Sequence, residues 1–376
     1  MNLGIFYTLI FLYLFFSNNL LYTQNSDIIA KNYGGSKDDE AYFIEKCEKN
    51  GFIIVGNSKS FGDIRKLYVL RLNDLLDTLW TTIIGFDTDY YGSYSICQTI
   101  NNQFLLVGNN SIINLDSLGH IKWEKKQIFY GSFIQKIDLN YFIILGLVYN
   151  VKNGNDIYLI KIDSEGNGIW HNAYKIESFE KAKCVLKTQD NGFIINGNLK
   201  NGIFLMKLDS LGNQIWVKTY TNDESFFVYS ICQVTDGGFF MCGYSSIDPY
   251  QQTAIIMKTD LDGNLLWQKY YYREASTTAT YCQELNDNYT LVTGYAFDKI
   301  SDYDSYIKVF NENGEEIFSK FIDDNCFTIS ESAIFYNFSF CILTGRQKDP
   351  QNKFRKDYDI FVNKIELKEL LEYLSH

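Results

Sequence analysis

Polar and apolar positions alternate in a long-period pattern from about residue 27 to residue 366. A short apolar run closing on glycine recurs seven times. It reads Gly51-Phe-Ile-Ile-Val-Gly56, Phe104-Leu-Leu-Val-Gly108, Phe142-Ile-Ile-Leu-Gly146 and Gly192-Phe-Ile-Ile-Asn-Gly197 in the first half. It returns as Gly238-Phe-Phe-Met-Cys-Gly243, Tyr289-Thr-Leu-Val-Thr-Gly294 and Phe340-Cys-Ile-Leu-Thr-Gly345. Differences between the closing glycines are 52, 38, 51, 46, 51 and 51 residues. Repeats of roughly 40–50 residues are the signature of propellers and solenoids.

A second motif follows each glycine: apolar–Lys–apolar–Asp–x–x–Gly–Asn–x–apolar–Trp. The fullest copies run from Lys161 to Trp170, Lys207 to Trp216 and Lys258 to Trp267, and looser ones end at Trp80, Trp123 and Phe318. All five tryptophans therefore hold one repeat position. Each unit resolves into four short strands. Strand A carries segments such as Tyr94-Ser-Ile-Cys-Gln98 and Tyr229-Ser-Ile-Cys-Gln233, and strand B ends at the repeat glycine. A variable loop leads to strand C, and the Asp-x-x-Gly-Asn turn leads to strand D with its tryptophan. Glycine in that turn supplies the positive φ, and Asp or Asn bonds its own backbone. Strand runs that are continuous rather than alternating suit sheets covered on both faces.

The expected fold is all-β: a seven-bladed β-propeller with four antiparallel strands per blade. A solenoid or β-sandwich is the rival. The tryptophans 80, 123, 170, 216 and 267 are read as structural, each wedged against the neighbouring blade. The last unit lacks the Asp-x-x-Gly-Asn-x-x-Trp ending. Residues Ile28 to Tyr33 stand where a strand D stands before the next unit, so they are expected to pair with 358–365 and close the ring. Pairing the two ends removes an open sheet edge.

The units resemble exported bacterial (Bacteroidetes-like) β-propeller repeat proteins, in which Asp-Gly-Gly-aromatic…Gly alternates with Lys-x-Asp-x-x-Gly-Asn-x-x-Trp. Asp236-Gly237-Gly238-Phe239 and the Trp170, Trp216 and Trp267 copies carry the likeness. It implies the fold and export, and no agreed activity. Two other propeller motifs are less similar. The quinone-dehydrogenase turn, Asp-x-x-Thr-Gly, is one residue longer than Asp163 to Gly166. Sialidase-type Asp-boxes are one residue shorter in both the Asp–Gly and Gly–Trp spacings. Neither transfers its chemistry.

Residues Gly4 to Phe16 are almost wholly apolar and end at Ser17-Asn18-Asn19. This run is too short for a spanning helix and fits a secretory signal peptide. The expected organisation is a signal peptide over residues 1–23, then one propeller domain over 24–376 with a tail at about 367–376. The expected location is secreted, periplasmic or cell-surface, with no transmembrane span. Formal net charge is −11, which argues against a nucleic-acid partner.

Chemistry is sparse. Eight cysteines (47, 97, 184, 232, 242, 282, 326 and 341) are scattered without a CxxC pair and fall mostly in apolar strands. They read as small buried hydrophobes. The three histidines, His120, His171 and His376, are isolated. No metal site, cofactor or catalytic constellation is assigned. The acidic residues sit mostly in turns, Asp260-Leu-Asp262-Gly263 included.

Function is expected in the loops joining strands B to C and D to A, which open on one face. D-to-A segments put aromatics beside acids, as in Asp87-Thr-Asp-Tyr-Tyr91. The candidate ligand contacts are Tyr90, Tyr91, Phe226, Phe227, Tyr271, Tyr272 and Arg273. The expectation is a non-enzymatic binding or scaffold module for protein or glycan. A carbohydrate-active enzyme using loop carboxylates is the alternative, and a quinone oxidoreductase is a third. A pair of facing carboxylates in the central pocket would favour the second.

Overall fold

The computed structural model describes residues 27–62, 64–85, 94–150, 154–176, 179–221, 225–248, 251–271, 276–286, 289–297, 303–322, 327–337, 339–348, 357–368 and 370. The proposed signal peptide, Cys326 and most of the C-terminal tail lie outside them.

The first strand, β1 (Ile28–Tyr33), belongs to the last sheet. The first complete sheet is β2 (Asp39–Lys46), β3 (Phe52–Ser58), β4 (Lys66–Leu72) and β5 (Thr78–Ile84) in sequential order. Next come β6 (Ser95–Gln98), β7 (Phe104–Leu115), β8 (Ile121–Lys136), β9 (Tyr141–Asn150), β10 (Gly154–Asp163) and β11 (Gly168–Tyr174), all in one six-stranded sheet. Three four-stranded sheets follow. They are β12 (Phe179–Lys187) to β13 (Phe193–Leu199), β14 (Gly202–Leu208) and β15 (Gln214–Tyr220); β16 (Ser225–Gln233) to β17 (Phe239–Asp248), β18 (Gln251–Thr259) and β19 (Leu265–Tyr271); and β20 (Thr277–Asn286) to β21 (Tyr289–Phe297), β22 (Tyr303–Asn311) and β23 (Glu316–Ile322). The last sheet joins β24 (Thr328–Tyr336), β25 (Phe340–Lys348) and β26 (Tyr358–Glu366) to β1.

Seven four-stranded sheets were expected, and six sheets are present. The difference arises in the second unit, whose repeat spacing is only 38 residues. There β7 pairs β6 through Phe104–Val107 and β8 through Ser111–Leu115, with a register shift between. Likewise β8 serves β7 through Ile121–Lys126 and β9 through Tyr130–Lys136. The strands run on where other units have a loop.

Second and third strands are buried on both faces. Every residue of β3, β13 and β14 is buried, whereas outer strands such as β5, β11 and β15 alternate with exposed positions. The repeat turns are built as their residues dictate. Asp163 Oδ1 accepts from the amides of Glu165 (2.9 Å) and Asn167 (2.8 Å), and Asp209 and Asp260 repeat the pattern. Gly166, Gly212, Gly263 and Gly314 take φ of 68 to 81°. Leu76 holds the same position in the first unit at φ 63°, a conformation that costs a β-carbon-bearing residue energy.

Each tryptophan lies over the turn glycine of the next unit. A Cβ on Gly119, Gly166, Gly212, Gly263 or Gly314 would come within 2.5 to 2.8 Å of Trp80, Trp123, Trp170, Trp216 or Trp267 respectively. Four residues on, the strand's tyrosine donates to the same glycine's carbonyl: Tyr174 to Gly212 and Tyr220 to Gly263, both at 2.5 Å, and Tyr271 to Gly314. These five half-buried rings are therefore inter-unit wedges. At the chain ends, β1 pairs antiparallel with β26 from Ile28↔Ile365 to Tyr33↔Ile360, as the sequence predicts. Among the described residues no helix is long and apolar enough to cross a membrane.

Candidate functional site in the central channel

The innermost strands surround one cavity of about 910 Å³. Its wall is made of β2, β6, β8, β12, β16, β20 and β24. Strand A runs from the B–C and D–A loop face to the opposite face, so the two ends of the channel differ chemically.

At the far end, amide side chains fasten one innermost strand to the next. Gln98 Oε1 accepts from the Glu48 amide (2.7 Å), Gln135 Oε1 from Lys187 (3.0 Å) and Gln233 Oε1 from Gln189 (2.8 Å). Gln283 makes a two-way contact with Phe335, accepting from its amide at 3.0 Å and donating to its carbonyl at 3.1 Å. Glu284 Oε1 accepts from the Thr235 amide at 2.7 Å. These groups are consumed by the ring itself. Glu45 lies at this end, where the Gln98 amide donates to it at 3.2 Å. Burial pushes its carboxyl up to about 8, although that bond and Lys136 pull the other way.

The loop-face end carries a second set of charged groups. Glu40 is 8% exposed. It accepts from the Tyr42 hydroxyl (2.6 Å) and pairs with Arg65 and Arg346, both at 3.3 Å. Arg346 also reaches Glu331 at 4.0 Å and lies over the Tyr358 ring. Burial raises the Glu331 carboxyl, against the pull of Arg346 and Lys183. Opposite stands Lys183, its ammonium 4.6 Å from the centre of the Tyr229 ring. Burial, with Lys181 adding repulsion, holds its pKa down at about 8.

Of the candidate ligand contacts, Tyr90, Tyr91, Tyr272 and Arg273 lie outside the described residues. Phe226 is 3% exposed, packed with Ile194, Ile203 and Leu205 of the preceding sheet. Tyr271 rests on Phe310 at 4.6 Å and bonds Gly314. Both are engaged between sheets, because their side of the strand faces the neighbouring unit. Phe227, on the other side, stacks on Tyr244 at 5.0 Å. Sequence reasoning passed over Lys181, Lys183, Glu331, Arg346 and the Gln fasteners. The recurrence of Gln at the end of strand A was the signal available for the last group. His171 stacks on Tyr158, and His120 sits exposed beside Asp116. The seven described cysteines are free thiols, and Cys282 Sγ lies 3.6 Å from Ser230 Oγ and from the Phe240 carbonyl.

No family model matches the chain, and no curated protein matches its sequence. Solved structures do resemble it. BBS1N, solved in complex with ARL6DN, has a TM-score of 0.56 at 10% identity, with 91% of this chain and 96% of that one covered. BamB from Moraxella catarrhalis has a TM-score of 0.50 at 11% identity, covering 91% and 98%. Identity this low shows the fold alone, and that fold is a bladed β-propeller.

Proposed function

We propose that this chain is an extracytoplasmic binding module that takes a protein or glycan ligand into the loop-face mouth of its central channel. The observation carrying this reading is the contrast between the channel's two ends. One end is closed chemically by side chains bonded to their neighbours, and the other presents charged and aromatic groups to a cavity of about 910 Å³. That volume sits at the upper end of the ~300–1,000 Å³ typical of ligand pockets. Export rests on the apolar segment Gly4 to Phe16 and on the resemblance to exported repeat proteins. We count the six-stranded sheet as two blades, since β7 and β8 each divide between two partners. That count gives seven blades, matching the seven innermost strands around the cavity. Phe227, stacked on Tyr244 at the loop-face end of β16, would extend the site.

The enzymatic alternative rests on Glu40 and Glu331, the two carboxylates that share Arg346. Glu40 is already held by Tyr42, Arg65 and Arg346, which favours a framework role for it and the binding reading for the chain. Screening the purified chain against a glycan array and a peptide library tests this. A ligand whose binding is weakened by Tyr229→Ala supports the reading. A ligand bound equally well by that folded variant would move the site elsewhere.

A further inference from the structure

We propose that the channel mouth holds an anion subsite, built on Lys183, that anchors the carboxylate of an acidic sugar. The inference rests on the binding reading above and names the ligand class. Lys183 projects into the cavity from β12, the innermost strand of its sheet. Among the described residues no carboxylate stands within ion-pair distance of its ammonium, which lies over the face of Tyr229. Lys181, two residues earlier on β12, adds a second positive charge, and burial lowers its pKa too. Three described cations near the mouth are already paired with carboxylates. Arg65 is on Glu40, Arg346 on Glu40 and Glu331, and Lys59 on Asp38 at 2.8 Å. A positive charge held partly out of water without a counter-ion is costly, and a bound carboxylate would offset that cost.

Four groups set the electrostatics of Lys183. Lys181 and Cys184 lie on its own strand, Tyr229 on β16 and Glu331 on β24. Glu331 is the nearest competing anion, and it is already shared with Arg346. A sugar is favoured over an acidic peptide by the lining. Tyr42, Phe43, Phe133 and Tyr281 line the same cavity, and aromatic surface suits the C–H face of a sugar.

Calorimetric titration with a galacturonic acid trimer, its methyl-ester derivative and a tetraglutamate peptide tests the subsite. Expected is binding of the trimer that weakens at least tenfold in Lys183→Met, persists in Lys183→Arg, and is lost on esterification. In the unaltered chain, affinity should fall as pH rises through about 8. Near that pH, two buffers of different ionisation enthalpy should reveal proton uptake on binding. This arm does not depend on any variant folding. Equal affinity for the ester would overturn the anion subsite while leaving the binding reading intact. Tetraglutamate bound more tightly than the trimer would overturn the sugar class. Failure of all three probes in a chain that binds another glycan would overturn the inference alone. Failure of every glycan and peptide would overturn the reading beneath it as well.

Discussion

The hydroxyl of Tyr33 donates to the main-chain carbonyl of Leu76 at 2.5 Å. Tyr33 ends β1 and Leu76 sits in the turn before β5, so the contact joins the last sheet to the first. It is the same contact that Tyr174, Tyr220 and Tyr271 make to the turn glycine of the next unit. The ring thus closes with the bond that joins its interior members, and neither terminus can leave without breaking it.

Tyr33→Phe should therefore cost about 1 kcal/mol, the net worth of one such hydrogen bond. A chain beginning at Gly35 should lose considerably more, because β26 would become an open edge. Equilibrium denaturation of both variants measures this. Undiminished stability in the shorter chain would show that β1 is dispensable.

Trp216 and Gly263 form one interlocked pair. Trp216→Ala should destabilise by about 3 kcal/mol, the low end for truncating a buried aromatic, because the ring is half-buried. Gly263→Ala should also destabilise, since its Cβ would meet Trp216 Cη2 at 2.7 Å at a φ of +75°. Residues in contact couple, so in the double variant the collision is relieved and the total is the Trp216 truncation cost plus the backbone penalty of Gly263, less than the sum of the single costs. A sum of the single costs would show that the ring does not rest on Gly263.

Much of this was legible in the sequence. The glycine-closed runs gave the strands, Asp-x-x-Gly-Asn gave the turns, and the missing ending of the last unit pointed to β1. Two features were not legible. The merging of two units into one six-stranded sheet follows from β7 and β8 each running on where other units have a loop, which spacing alone does not reveal. Phe226 and Phe227 look equivalent in sequence, yet adjacent strand positions face opposite sides. One is therefore buried between sheets while the other stacks on Tyr244. Strand A reads as an apolar run with occasional polar residues, so only the ring geometry separates fasteners such as Gln283 from free groups such as Lys183.

Glu45 should make stability fall as pH rises. Its carboxyl titrates at about 8 in the folded chain against 4.5 ordinarily, so between those values the folded state holds more protons. The stabilising protonation is complete below about 4.5 and lost as pH climbs through about 8. One proton limits the slope to about 1.4 kcal/mol per pH unit. Glu45→Gln should match the unaltered chain near pH 4 and exceed it at pH 8.5 in thermal unfolding. Equal melting at both values would show that Glu45 is solvated and ionised.

Gln283→Ala should leave the Phe335 amide and carbonyl without their partner. A loss of about 2 kcal/mol is expected, within the ~1–3 kcal/mol cost of an unsatisfied buried group. Binding at the opposite end of the channel should be retained. Loss of binding by a variant that remains folded would mean that the fastener ring belongs to the site.

Hydrogen–deuterium exchange with and without a ligand taken from the array screen tests the channel-mouth site most directly. The account predicts protection in three innermost segments, Lys181–Cys184 of β12, Tyr229–Ser230 of β16 and Glu331–Ser332 of β24, with the outer strands β11, β15 and β19 unchanged. Protection confined to those outer strands, with the three channel segments exchanging as before, would contradict it.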